Sequence, residues 1–253
     1  MLFGLDRLFK YWHDCSVPNE YSVTPYLVKD NKRHPVAIIC PGGGYRMVCN
    51  FMEGRPIAEF LNKKGIHAFV LHYRTRKKAH YPHPIEDIVR LVRELNEKQD
   101  EYLLDMSNYS IWGFSAGGHM AASFGVADIG YKLYSVAKPT CLVLTYPVIT
   151  LEKGKTHKGT RHYYCGEKDK KAYEVGCVFN HVNKDYPKTF IWRGDKDKSV
   201  PPLNSDLLVN QLEKDHINYL YKKYPNVGHG VGLGIGTTAE GWTDLAVDFW
   251  LNK

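Results

Sequence analysis

Three residue types in this chain could together move a proton and form a covalent bond: one serine, one histidine and an aspartate. Ser115 lies in "GFSAG", inside the stretch "IWGFSAGGHM" at residues 111–120. An apolar, β-prone run, Tyr109 to Trp112, precedes it. The small residues from Ala116 to Ala122 follow it and read as the crowded start of a helix. This is the G-x-S-x-G pattern of a nucleophile elbow, where a sharp strand-to-helix turn lifts the hydroxyl and flanking glycines let the two elements pass closely. A serine hydroxyl is a weak nucleophile until a base within hydrogen-bond reach, itself oriented by a carboxylate, takes its proton. With such an elbow the chain order is serine, acid, histidine. Of the twelve histidines, His216 and His229 alone fall in about the last fifty residues. His216 ends a polar helix beside Asp215 and reads as a surface residue. His229 stands in "NVGHGVGLG", a loop after the final strand, where groups gather at the carboxyl edge of open α/β sheets. His229 is therefore the expected base. The loop "TFIWRGDKDKSVPP" offers both Asp195 and Asp197 as the acid, and spacing alone does not choose between them. The spare aspartate would serve as a turn former.

A tetrahedral oxyanion needs backbone N–H donors, one from the residue after the serine, here Ala116, and another from a loop after an early strand. "CPGGGY", residues 40–45, follows such a strand and is expected to bring its main chain close to a substrate, with Tyr45 beside it. A phosphate loop is excluded, because no G-K-[ST] follows the glycines and no G-x-G-x-x-G opens a helix. His80 and His83 in "AHYPHP" make a poor metal pair, since prolines interrupt any helix and no third ligand is in view. His119, on the packed helix after the elbow, reads as structural. No metal or cofactor is expected.

Candidate strands and helices alternate along the chain around these groups. Apolar runs at Ser22 to Val28, Val36 to Cys40, Ala68 to Tyr73, Tyr109 to Trp112, Cys141 to Tyr146, Thr189 to Trp192 and Tyr219 to Tyr224 predict strands. Helical spacing predicts helices over Pro84 to Gln99, Leu203 to His216 and Gly241 to Leu251. The alternation predicts a single α/β domain over residues 1–253, with a mostly parallel sheet covered by helices on both faces. Residues 147–187 exceed what one crossover helix needs. Rich in Lys, His and Tyr, they read either as a solvated loop with one poor helix or, the expectation carried forward, as a small cap-like insertion beside the site.

The net charge of +7 comes from 34 basic and 27 acidic residues without blocks of like charge, which argues against nucleic-acid binding. The six cysteines show no C-x-x-C pair or zinc spacing and read as free thiols. The N-terminal "MLFGLDRLFKYWHD" is interrupted by charges and lacks a signal-peptide core, and no apolar run reaches membrane-spanning length. A cytoplasmic setting without a membrane partner is the expectation, with the oligomeric state open.

Taken in order, "PGGGY", "GFSAGGHMAA", "YPVIT", "THKGT", "FIWRGDKDKSVPPLNS" and "GHGVGLG" resemble the bacterial α/β-hydrolase esterases of the acetyl esterase and acetylxylan-esterase-like group, from about residue 22 onward. The resemblance implies the α/β-hydrolase fold and a metal-independent Ser-Asp-His triad that hydrolyses short acyl esters, often acetyl groups on sugars or oligosaccharides. Its D-x-x-V-P pattern falls on Asp197 to Pro201 and so implies Asp197 as the acid. It also implies Gly43 and Gly44 as donors of the oxyanion amides. The family's W-H-x-x-D-D reads Trp192-Arg193-Gly194-Asp195-Lys196-Asp197 here, and Pro41 replaces the histidine of the HGGG-type loop. The rival expectations are a peptidase-like hydrolase of the same fold and a catalytically silent small-molecule receptor.

Overall fold

The computed structural model describes residues 20–166 and 169–252. The charge-interrupted N-terminal stretch and Cys15 lie outside the described residues. Seven strands form one sheet in the order β1-β3-β2-β4-β5-β6-β7. They are β1 (Ser22–Tyr26), β2 (His34–Cys40), β3 (His67–His72), β4 (Leu104–Phe114), β5 (Cys141–Thr145), β6 (Lys188–Gly194) and β7 (Tyr219–Tyr224). β1 runs antiparallel to β3, and every other neighbouring pair is parallel. Pro25 sits in β1 at the sheet edge, where its missing N–H costs no ladder bond.

Alternation in β2 shows how the sheet is covered. Val36, Ile38 and Cys40 face one core, and Ala37 and Ile39 face the other. The first core is closed by helices α2 (His83–Glu97), α3 (Ala116–Gly125) and α6 (Leu203–Lys214). The second is closed by α1 (Arg55–Lys63) and α7 (Trp242–Leu251). In α2 the predicted stripe of Ile85, Ile88, Val89, Val92 and Leu95 is entirely buried. In α7, Trp242, Ala246 and Trp250 are buried, whereas Leu245 is 41% exposed and lies off the packed face.

β4 is longer than the run Tyr109 to Trp112 predicts. Its first half pairs Leu104 and Asp105 with His34 and Pro35, and a bulge at Pro35/Val36 separates that pairing from the central register. Polar Asp105, Ser107 and Asn108 sit in this half, where the strand is partly exposed, and they mask its β pattern.

Between β5 and β6 the chain forms α4 (Lys158–Cys165), α5 (Lys170–Gly176) and a 3-10 turn (Val178–Asn180). Leu151, Tyr164, Cys165, Ala172, Cys177 and Val178 are buried in the same core as α2 and α3. This segment is therefore packed onto the sheet's helical layer and is not a solvated loop. No helix among the described residues is long and apolar enough to cross a membrane.

Candidate active site

The parallel register brings the carboxyl ends of β2, β4, β5 and β6 together, with Cys40 opposite Gly113, Phe114 opposite Thr145 and Thr145 opposite Trp192. Ser115 directly follows β4, at φ 53° and ψ −114°. Such a conformation in a residue other than glycine costs on the order of 1–3 kcal/mol and persists only where the surroundings enforce it. Here the Ser115 N–H donates to the Thr145 carbonyl at 3.0 Å, and the Ser115 carbonyl accepts from both His119 and Val148 N–H at 3.1 Å. The flanking glycines serve steric need. A Cβ on Gly117 would lie 2.0 Å from the Cys40 carbonyl oxygen, and one on Gly113 would lie 2.6 Å from that of Gly117.

The Ser115 hydroxyl lies 2.8 Å from His229 Nε2, and His229 Nδ1 lies 2.6 Å from Asp197 Oδ2. A carboxylate can only accept, so Nδ1 carries the hydrogen and Nε2 presents its lone pair to the serine hydroxyl. Asp197 is fixed from its other side, where Oδ1 accepts the N–H groups of Ser199 and Val200 at 2.9 Å. Asp195 instead accepts the Asn226 N–H at 2.7 Å and closes a surface turn. Arg193, the departure next to them, is engaged by Asp206 and by the Tyr221 hydroxyl at 2.7 Å. His216 is exposed at the turn after α6.

Gly43, Gly44, Ser115 and His229 line one cavity of about 440 Å³. Gly43 (φ 123°) and Gly44 (φ 65°) adopt backbone conformations that suit glycine, and a Cβ on Gly43 would meet the Met47 carbonyl oxygen at 2.2 Å. The Tyr73 hydroxyl donates to the Pro41 carbonyl at 2.8 Å and holds the loop down. Ala116 opens α3, so its N–H has no acceptor within the helix.

Tyr45 departs from expectation. Its side chain is fully buried, stacked on Tyr164 with its hydroxyl 2.9 Å from His119 Nδ1, and it does not line the cavity. The left-handed turn at Tyr45 (φ 58°) sends the ring inward and leaves the next residue, Arg46, at the cavity wall. His119 also contacts the Gly176 carbonyl through Nε2 at 2.8 Å, as befits a structural histidine. Burial lowers its pKa to about 4.

Two further cavity residues carry hydrogen bonds that shape the site. Glu53, only 3% exposed, accepts the Gly42 N–H on one carboxylate oxygen and the Tyr146 hydroxyl on the other, each at 2.7 Å. Burial raises its pKa, against the pull of those two hydrogen bonds. Nothing in "NFMEGRP" marks this carboxylate, whose partners are 11 and 93 residues away. His157 caps α4 by accepting the Thr160 N–H at Nδ1 and packs over Gly44, where a Cβ would lie 2.8 Å from its Cε1. Burial, then the neighbouring His229, lowers its pKa. The only sequence signal was its place in "THKGT".

A family model described as BD-FAE matches residues 25–212. This chain belongs to the BD-FAE family. The acetyl ester-xyloside bifunctional hydrolase from Caldicellulosiruptor lactoaceticus superposes on this BD-FAE member with a TM-score of 0.82 at 31% identity, covering 91% of this chain and 87% of that one. Its fold is that of the α/β hydrolases, as expected. An endo-1,4-beta-xylanase B of Butyrivibrio fibrisolvens is 29% identical over 236 residues, 90% of this chain and 36% of that protein. An acetylxylan esterase of Xylanibacter ruminicola is 29% identical over 204 residues, 77% of this chain and 40% of that protein. The chain thus spans well under half the length of these two curated relatives.

Proposed function

We propose that this BD-FAE member is a serine carboxylesterase that removes short acyl groups, chiefly acetyl, from sugars or oligosaccharides. The observation that carries the reading is the hydrogen-bonded series Ser115–His229–Asp197 opening onto a glycine-lined cavity. The names of the acetylxylan esterase and acetyl ester-xyloside hydrolase relatives support the substrate class. Ser115 Oγ attacks the ester carbonyl while His229 Nε2 takes its proton. The amides of Ala116, Gly43 and Gly44 hold the resulting oxyanion. Collapse of the tetrahedral intermediate breaks the acyl–oxygen bond, and His229 returns the proton to the departing sugar hydroxyl. Water then attacks the acyl-Ser115 ester by the same route, releasing the acid and restoring the serine. Asp197 holds the imidazole in the required tautomer and stabilises its cation.

The packed segment carrying His157, Gly159 and Tyr163 acts as a cap-like wall of the substrate cavity. The buried free thiols Cys40, Cys141, Cys165 and Cys177 favour a reducing, cytoplasmic setting, which cell fractionation tests. The function itself is tested by acetate release from an acetylated xylo-oligosaccharide together with fluorophosphonate labelling of Ser115. Absence of both overturns it; labelling with peptide hydrolysis and no acetate release would favour the peptidase-like alternative.

A further inference from the structure

A second cleft, of about 950 Å³, adjoins the Ser115 cavity and shares Arg46 and Tyr163 with it. Its walls carry Arg46, Arg76, Lys77, Lys78, His80 and His162, and among the described residues no carboxylate lines it. The ion pairs of this region are Arg74 with Asp87 and Glu86, and His80 with Asp169 at 3.4 Å. Arg46, Arg76, Lys77 and Lys78 take part in none of these, and all four are exposed.

The cations are mounted on the same pieces of backbone that build the cavity. Arg46 lies two residues beyond Gly44, and the Arg76 N–H donates to the Tyr45 carbonyl at 2.7 Å, tying the basic turn Arg76–Ala79 to the glycine loop. His162 and Tyr163 lie on α4, the helix capped by His157 at the cavity wall. Several cations held around one concavity repel one another, and an anionic ligand relieves that repulsion. Guanidinium groups suit a carboxylate because their planar forks can donate two parallel hydrogen bonds to it. The cleft lies at the upper end of the roughly 300–1,000 Å³ typical of small-ligand sites, so it has room for more than one sugar ring.

We infer that this cleft is a subsite for an acidic saccharide: the ester sits at Ser115 while a carboxylate elsewhere on the same oligosaccharide is held by Arg46, Arg76 and Lys77. This rests on the esterase reading above and narrows its substrate to uronate-bearing glycans.

The test measures binding to the Ser115→Ala protein by calorimetry with two probes. One is an acetylated xylo-oligosaccharide carrying a single uronic acid; the other is the same molecule with that carboxyl reduced to an alcohol. The acidic probe should bind roughly tenfold more tightly at low salt. That advantage should shrink toward unity when Arg76→Gln and Lys77→Gln are added, and at high ionic strength. Equal affinity for the two probes overturns the inference, as does a preference that survives the added substitutions. Turnover of both probes by the unsubstituted protein separates the two readings. A retained binding preference without acetate release supports the subsite while removing the esterase assignment.

Discussion

The ring of Tyr146 lies against the imidazole of His229 with centroids 4.7 Å apart, while its hydroxyl donates to Glu53 at 2.7 Å. The same hydroxyl accepts the Gly232 N–H at 3.2 Å from the histidine loop, and Glu53 holds the Gly42 N–H of the glycine loop. One buried carboxylate thus joins the loop proposed to hold the oxyanion to the loop carrying the proposed base. Glu53→Gln should break the link between them, because an amide can accept from one donor but turns its own N–H₂ toward the other. A stability loss of about 1–3 kcal/mol is expected, with kcat falling more than KM rises. Denaturant melts and steady-state kinetics with p-nitrophenyl acetate check this; unchanged kcat would restrict Glu53 to packing.

Ser115→Ala should reduce turnover by several orders of magnitude, since it removes the proposed attacking atom. Its stability should stay near that of the unsubstituted protein, because among the described residues the hydroxyl's one hydrogen-bond partner is His229. Retention of more than about a tenth of the rate would remove Ser115 from its role.

Asp197→Asn should cost far more activity than Asp195→Asn. The first leaves His229 free to adopt the other tautomer, whereas the second loosens only the Asn226 turn. Comparing kcat/KM for the two variants decides the matter, and a reversed order would make Asp195 the acid.

Stability should fall on acidification below neutral pH. His119 and His72 have pKa values lowered from 6.5 to about 4 by burial. Between those values the unfolded chain binds protons that the folded chain refuses, so unfolding is favoured as pH drops through this window. The two histidines together should remove on the order of a few kcal/mol between pH 7 and pH 4. Tm measured across that range tests it, and a flat profile would contradict the burial argument.

Acetyl and propionyl esters should react better than long-chain esters. Gly43, Gly44, Gly159 and Gly230 supply no side chain to the cavity wall, and its long aliphatic side chains are Met47 and Met52 alone among the described residues. Each methylene buried in a fitting pocket contributes up to about 0.8 kcal/mol, so a long-acyl site would show kcat/KM climbing steadily with chain length. A series of p-nitrophenyl esters from about two to twelve carbons reads this directly; a maximum at about eight carbons or beyond would sink the short-acyl reading.

Short-range pattern in the sequence carries the elements and the elbow. Period-two alternation in β2, helical spacing in α2 and the glycines around Ser115 each reflect constraints acting within a few residues, and the structure follows them. Where a strand is half polar, as in the first part of β4, the pattern thins and the boundary is lost. Tertiary structure alone decided which groups meet across long separations. Asp195 and Asp197 are indistinguishable by composition, but they lie two residues apart at the end of β6, so their side chains reach different partners, Asn226 and His229. Tyr45, which the sequence places at the substrate, is buried; Tyr164, from the Lys-, His- and Tyr-rich segment after β5, is buried beside it. Glu53 and His157 both line the cavity, although nothing local marks Glu53 and His157 is marked only by its place in "THKGT". A buried carboxylate is stable only when donors surround it, and Glu53 draws its donors from Gly42 and Tyr146, which only the folded chain brings together.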